Sequence, residues 1–159
     1  TKKLLASIGV TPRATVDPDP EDWYANLLWF DRRKCLLLTH SATLFTVFEP
    51  NVSVNDLRAT GPLTSRLIRR ELERELVPMR VFADLGDDGV TLAATADRSV
   101  LGCMNDMAFM CEVEITRGGG LARVDVDDLN RALRRTIYSA RDFRPAMELV
   151  ADRVAYGPR

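Results

Sequence analysis

The sequence predicts an α+β fold in which helices pack against an antiparallel β-meander at about residues 23–49. Two observations lead to this prediction. Three runs rich in aromatic, β-branched and leucine side chains follow one another in that stretch, separated by short polar links. Apolar residues then recur at helical spacing near residues 62–77, 98–116 and 125–139. Since 159 residues suffice for a hydrophobic core, residues 1–159 are predicted to form a single globular domain.

The meander is predicted from links that are too short for any other connection. Residues 31–34 separate the first run from the second, and residues 39–43 separate the second from the third. Parallel neighbours would need a crossover of about a dozen residues, so the strands are predicted to be antiparallel. The middle strand is apolar on both faces, from Cys35 to Leu38. We therefore expect both faces to be covered, either by helices of this chain or, on one side, by a partner.

The first long helix, at 62–77, has leucines along one stripe and charges of both signs on its other face. Such mixed charges are typical of a solvated face. The sequence GDDG at 86–89 then predicts a turn, and a further strand is predicted near 90–95. Short helices are predicted at 3–8, 54–58 and 145–150.

The second long helix, at 98–116, is preceded by the N-cap candidates Asp97 and Ser99. Its last residues, 111–116, also alternate as a strand would, so a strand there is the alternative. The third long helix, at 125–139, has aspartates in its first turn and arginines toward its end, as the helix dipole favours.

Composition excludes several classes of function. A net charge of −1 gives no general attraction to nucleic acid or anionic membranes, and no apolar run approaches the ~20 residues of a membrane span. The three cysteines lie in apolar runs without a C-x-x-C pair, so we expect buried reduced thiols in a cytoplasmic protein. We expect no cofactor and no metal, although magnesium is left open by the acidic residues Asp84, Asp87, Asp88, Asp97 and Asp106.

Three long segments are shared with a known family. They are WYANLLWFDRRKCLLLTHSATLF, TADRSVLGCMNDMAF and GGLARVDVDDLNRALRR, in that order. With these segments the chain resembles a bacterial family of proteins that is known as a domain of unknown function, and the resemblance covers nearly the whole chain. It implies small bacterial proteins and assigns no catalytic residue.

The first candidate site is the link between the first two strands. Arg32, Arg33 and Lys34 place three cations on a hairpin tip, where guanidinium forks and an ammonium group suit phosphate binding. The alternative is a charged turn that keeps the sheet from pairing with other chains. Trp23, Tyr24 and Trp29 nearby would add base stacking if any of them faced solvent, although core packing is expected for most of them.

The second candidate is His40, the only histidine, which is a possible general base. Lys34 and His40 lie at opposite ends of the middle strand, roughly 20 Å apart. One small active site therefore cannot easily use both, and His40 would need other partners, such as Asp97 or Asp106. The default interpretation is a turn histidine that bonds its neighbours.

The third candidate is a set of polar residues at and after the start of the second long helix: Asp97, Arg98, Ser99, Asn105 and Asp106. Asn105 and Asp106 share a helix face with Gly102 and Phe109, opposite the apolar stripe. The functional interpretation is a small polar pocket in which glycine allows close backbone approach. The structural interpretation is a capped helix that ties down the meander.

Two functions from different classes follow. The favoured one is an accessory protein that acts as a protein-interaction module, with a protein partner or a homo-oligomer as its complex. The alternative is an enzyme, toxin-like, that acts on RNA or a nucleotide, with Arg32, Arg33 and Lys34 on phosphate and His40 or Asp106 as base. An exposed apolar patch would favour the first, and a cleft with Arg98, Asn105 and Asp106 the second.

Overall fold

A computed structural model describes residues 1–11, 17–82 and 90–157 of the chain. In chain order, its helices and strands are α1 (Lys2–Ile8), β1 (Trp23–Phe30), β2 (Arg33–His40), β3 (Thr46–Glu49), α2 (Val54–Arg58), α3 (Thr60–Arg74), α4 (Arg98–Arg117), α5 (Val126–Arg135), β4 (Ile137–Tyr138), β5 (Arg144–Pro145) and α6 (Ala146–Tyr156). This confirms the α+β class. No helix in these ranges has both the length and the apolar character to cross a membrane.

The predicted meander is confirmed: β1, β2 and β3 form an antiparallel sheet in that order. Asp31 and Arg32 form the two-residue turn between β1 and β2, and both have positive φ, 47° and 63°. These angles are those of a type I′ turn, whose twist matches that of the flanking strands. Phe30 is therefore paired directly with Arg33.

Helices of this chain cover both faces of the sheet. Leu36 and Leu38 of β2 belong to one apolar cluster, which includes residues of α1, α2, α3 and α6. Cys35 and Leu37, on the opposite face, belong to a second cluster with α4 and α5. Helices of this chain therefore account for the apolar residues on both faces of β2, and no partner is needed over the middle of the sheet.

The long helices are confirmed with changes at their ends. Residues 111–116 are helical, which excludes the strand alternative. The first long helix stops at Arg74, since Leu76 has a φ of 56°. The third stops at Arg135, because Thr136 is extended and leads into the short β4–β5 pair.

The strand expected at 90–95 is wrong. In this segment a single residue, Ala93, forms a bridge. The segment lies beside Trp23–Ala25 of β1, but the carbonyl of Ala25 already accepts a hydrogen bond from the nitrogen of Thr1, at 2.7 Å. Thr1 therefore takes up a backbone carbonyl on β1 that a strand at residues 90–95 would otherwise use. The GDDG turn lies outside the described residues.

The outer edge of β3 is closed by side chains of α5. The Asn130 side-chain amide accepts a hydrogen bond from the Phe48 N–H, at 2.6 Å, and donates one to the Phe48 carbonyl, at 3.0 Å. Arg134 donates to the Thr46 carbonyl at 3.2 Å. Asn130 and Arg134 are buried. These contacts satisfy strand groups that would otherwise be unpaired at a sheet edge.

A buried ion network joins α3 to α5. Glu71 is fully buried, and its carboxylate contacts Arg70, Arg74 and Arg134 at 2.6–3.0 Å. Burial alone would raise the pKa of Glu71, but the three arginines hold that pKa below its usual value. The prediction of a solvated charged face is therefore wrong for Glu71.

Candidate interaction surface

The exposed face of α4 is the first part of the candidate surface. Val100, Met104 and Met107 are buried in the second cluster, as their spacing predicts. Gly102 and Phe109 lie on the opposite face and are exposed, together with Asn105 and Asp106. Phe109 is 65% exposed, which is unusual for a large aromatic side chain.

The second part is a groove between α4 and the end of β1, with a volume of about 360 Å³. Its walls are Leu28, Trp29 and Phe30 from β1 and Asn105, Ala108, Phe109 and Glu112 from α4. Trp29 is 56% exposed. Two large aromatic side chains, Trp29 and Phe109, thus stand open to solvent at one groove, and we refer to this groove and the exposed α4 face as the α4 surface.

The polar residues of α4 are not gathered into one pocket. Asn105 lines the groove, whereas Arg98, Ser99 and Asp106 lie outside its lining. Arg98 and Asn105 are two helical turns apart, about 11 Å along the axis. Asp97 accepts hydrogen bonds from the N–H groups of Ser99 and Val100 and caps the helix.

Neither contact that the sequence predicted for this face is made within the described part of the chain. A Cβ added to Gly102 would meet nothing within 4 Å, so no described residue uses the close approach that glycine allows. The Asn105 side chain makes no hydrogen bond to any described residue, so it does not hold the meander in the way the structural interpretation expected. Among the described residues, Gly102 and the Asn105 side chain therefore have no polar contact partner.

The three cations of the first hairpin have different surroundings. Arg33 donates a hydrogen bond to Asn51 Oδ1 at 3.1 Å, and the Lys34 ammonium lies 5.5 Å from the centre of the Trp29 ring. Arg32 has no partner among the described residues and is exposed. The structure thus leaves one of the three cations uncommitted, and phosphate binding by this turn stays a prediction.

Asp31 in the same turn anchors the loop after α4. Its Oδ2 accepts a hydrogen bond from the Leu121 N–H at 2.6 Å. Gly120 has a φ of +114°, and a Cβ there would come within 3.0 Å of Asp31 Oδ2. Glycine is therefore required at this contact, which explains part of the GGG sequence.

His40 is fully buried between Trp23 and Phe82, at ring distances of 5.1 and 4.5 Å. Its Nδ1 accepts a hydrogen bond from the Thr43 N–H at 3.3 Å, and its Nε2 is 3.7 Å from Glu21 Oε2. Burial, and then the charges of two arginines, Arg153 and Arg141, lower the pKa of His40 to about 3. These surroundings favour the turn-histidine interpretation, and Asp97 and Asp106 are not its hydrogen-bond partners.

The acidic residues form no metal site within the described residues. Asp84, Asp87 and Asp88 lie outside the described ranges, and Asp97 and Asp106 are more than two helical turns apart on α4. In the described ranges, no group of three or more histidine, cysteine, aspartate or glutamate side chains is arranged to hold a metal ion.

The three cysteines are free and buried, and burial raises the pKa of Cys111 to about 12.

The sequence could not reveal the groove itself. Trp29 and Phe109 are 80 residues apart, and only the packing of α4 against β1 brings them together. The one available signal was the position of Phe109 on the polar face of its helix.

Comparison with known proteins gives the family. Searches of curated proteins and of solved structures found no match. Residues 1–148 match the family described as a domain of unknown function, DUF6933. The match covers most of the chain, so this chain belongs to that family.

Proposed function

We propose that this chain is a small bacterial accessory protein of the cytoplasm, and that it acts as a protein-interaction module through the α4 surface. The observation that carries the proposal is the exposure of Trp29 and Phe109, 56% and 65%, on one groove. Exposed aromatic side chains beside a concave apolar surface are typical of protein interfaces. The three buried free thiols support the cytoplasmic location.

The local charges favour a protein over a nucleic acid as the partner. Glu112 lines the groove, and Asp106 lies beside it on the same helix. Carboxylates repel a phosphate backbone, whereas they readily form hydrogen bonds and ion pairs at the rim of a protein interface.

The alternative, a protein that acts on RNA or a nucleotide, has one observation in its favour. Trp29 is exposed and lies under the Lys34 ammonium, and Arg32 at the neighbouring turn is uncommitted. An aromatic face beside cations suits a single-stranded nucleic acid. Direct binding of fluorescent single-stranded RNA by the wild type and by the Arg32→Ala/Arg33→Ala/Lys34→Ala variant tests it. Salt-sensitive binding that the variant loses would support the alternative.

Photo-crosslinking tests the interaction module. The photoreactive residue p-benzoylphenylalanine is placed at position 109, at position 29, or at position 143 as a control, in cells that make the protein. Phe143 is the matched control because it is also 65% exposed but lies outside the groove lining. We expect one adduct of defined mass from positions 29 and 109 and none from position 143.

Binding of the purified partner then tests the surface quantitatively. Phe109→Lys should weaken binding at least about tenfold, as for a central aromatic residue of an interface. Asp106 and Glu112, at i−3 and i+3, favour a lysine at this helical position, so the fold should be retained. Phe143→Lys should bind like the wild type. Equal binding by Phe109→Lys and the wild type would overturn the proposal.

A further inference from the structure

The exposed face of α4 has the spacing of a seam between two packed helices. Arg98, Gly102, Asn105, Phe109 and Glu112 recur at intervals of four, three, four and three residues, and all five are exposed. This is the spacing with which two helices pack side by side. No element in the described part of the chain lies over these residues. Among the described residues, the seam therefore has no second helix packed against it.

The shape of the seam is complementary to itself in the antiparallel direction. Asn105 lies at its middle, with Gly102 three residues before it and Phe109 four residues after it. A two-fold axis near Asn105 therefore places each Phe109 ring above the Gly102 of the other copy. Gly102 offers the space for a ring, because an added Cβ there would meet nothing within 4 Å.

The charges of the seam are complementary about the same axis. Arg98 lies seven residues before Asn105, and Glu112 lies seven residues after it. Antiparallel packing therefore brings each Glu112 to the Arg98 of the other copy and to the N-terminus of that α4, where the helix dipole also favours a carboxylate. Neither Arg98 nor Glu112 has an ion-pair partner among the described residues, so both are free for this contact.

We infer that the partner at the α4 surface is a second copy of this chain, which forms a symmetric dimer with two antiparallel α4 helices. The inference rests on the proposed function, because it uses the same surface. An unrelated partner would not require opposite charges to lie at equal distances on the two sides of one residue, seven each for Arg98 and Glu112, with a small and a large residue at the nearly equal distances of three and four. Isologous packing does require this.

Disulfide trapping tests the position of the axis. In Asn105→Cys, the new thiols of the two copies lie close to the axis, and a disulfide needs Cα atoms within about 7 Å. The three native cysteines are buried and do not compete. We expect mild oxidation to yield a covalent dimer of Asn105→Cys and a monomer of Arg131→Cys, an exposed control on α5. Equal cross-linking of both variants, or none of Asn105→Cys, would overturn the inference.

Charge reversal tests the pairing of Arg98 with Glu112. By sedimentation, we expect Arg98→Glu and Glu112→Arg each to weaken dimerisation of the full chain about tenfold, and the double variant to recover most of the loss. The double variant has the same charges in exchanged positions, so recovery reports contact between these two residues. Failure of the double variant to recover, or a monomeric wild type at several hundred micromolar, would contradict the dimer.

The two proposals fail in different ways. A monomeric wild type that still gives a crosslink from position 109 to another protein would refute the dimer and retain the interaction module. An adduct with twice the mass of the chain would support both. The absence of any adduct from positions 29 and 109, with a monomeric wild type, would refute both.

Discussion

The two outer strands of the sheet, β3 and β1, differ in how their exposed groups are arranged. At β3, the side chains of Asn130 and Arg134 satisfy the outward groups of Phe48 and Thr46. At the end of β1, Trp29 stands exposed beside the open groove of α4. One side is closed by buried polar contacts within the chain, and the other presents aromatic side chains to solvent.

This difference separates residues that stabilise the fold from residues available for binding. Asn130, Arg134 and Glu71 are nearly inaccessible, and their contacts are all internal. A Cβ added at Gly102 would meet nothing within 4 Å, and the Asn105 side chain makes no hydrogen bond to a described residue. Substitutions on the closed side should therefore change stability, and those on the α4 surface should change association.

The largest effect on stability is expected from Arg134→Met. This substitution removes the Arg134 guanidinium from the buried carboxylate of Glu71. It also removes both hydrogen bonds from Arg134 to Glu75. Breaking a buried ion pair from one side costs about 3–5 kcal/mol. Urea unfolding measures the loss. Arg131→Met, an exposed arginine on the same helix, should change stability by less than about 0.5 kcal/mol. Similar losses in both variants would contradict the distinction.

A smaller loss is expected from Asn130→Ala, because it leaves the N–H and carbonyl of Phe48 buried and unpaired. Each unpaired group costs about 1–3 kcal/mol, so we expect a total of about 2–4 kcal/mol. Asn105→Ala is the matched control on the α4 surface. At concentrations where the chain is monomeric, thermal or urea unfolding should show no loss for this control, and a comparable loss would weaken the contrast between the two sides.

The pH dependence of stability tests the burial of His40. Its folded pKa of about 3 lies below the ordinary 6.5, so the unfolded chain binds a proton in this range and the folded chain does not. The stability is complete above pH 6.5 and is lost as the pH falls toward 3, by about 1.4 kcal/mol per unit. The carboxylates Glu71 and Glu75, whose pKa values are lowered, act only below about pH 4.5.

Urea unfolding between pH 7 and 5 measures this slope. We expect His40→Asn to reduce it strongly, because the asparagine oxygen can accept from the Thr43 N–H but does not titrate. The Thr1 amino group, whose pKa is lowered by burial, accounts for any slope that remains. In the wild type, the imidazole proton signals of this single histidine should show no titration above about pH 4. A histidine that titrates near pH 6.5 in the folded protein would contradict the buried geometry.

The smallest effect concerns Gly102→Ala. Glycine within a helix costs about 0.5–1 kcal/mol relative to alanine, and the added methyl group meets no described atom. Unfolding of this variant at concentrations where it is monomeric should therefore show a gain of that size. No gain would mean that the space above Gly102 is occupied.

The sequence predicts the meander and α4 because each is determined by local pattern. The polar link at 31–34 is too short for a crossover, so it requires antiparallel strands, and the stripe from Val100 to Met107 predicts one buried helix face. The segment 90–95 has the composition of a strand, but its failure to pair depends on Thr1 at the edge of β1, which is a distant contact.

The same reason limits the prediction of the site. The helical spacing of Gly102, Asn105 and Phe109 is readable in the sequence, and the structure places these three residues on one exposed face of α4. The pairing of that face with Trp29 needs the packing of α4 on β1. Glu71 is a case in which the sequence pattern misleads. It lies among charges of both signs, as on a solvated face, but it is buried because Arg134 from α5 pairs with it.

The contact of Asp31 with Leu121 has a consequence for the energetics of binding. Asp31 directly follows β1, and Leu121 lies just after α4, so this hydrogen bond joins the two walls of the groove at their shared end. A groove whose walls are already fixed loses little conformational entropy when a partner docks. Association should then proceed as rigid docking, with a rate constant of about 10⁵–10⁷ M⁻¹s⁻¹ and no preceding conformational step.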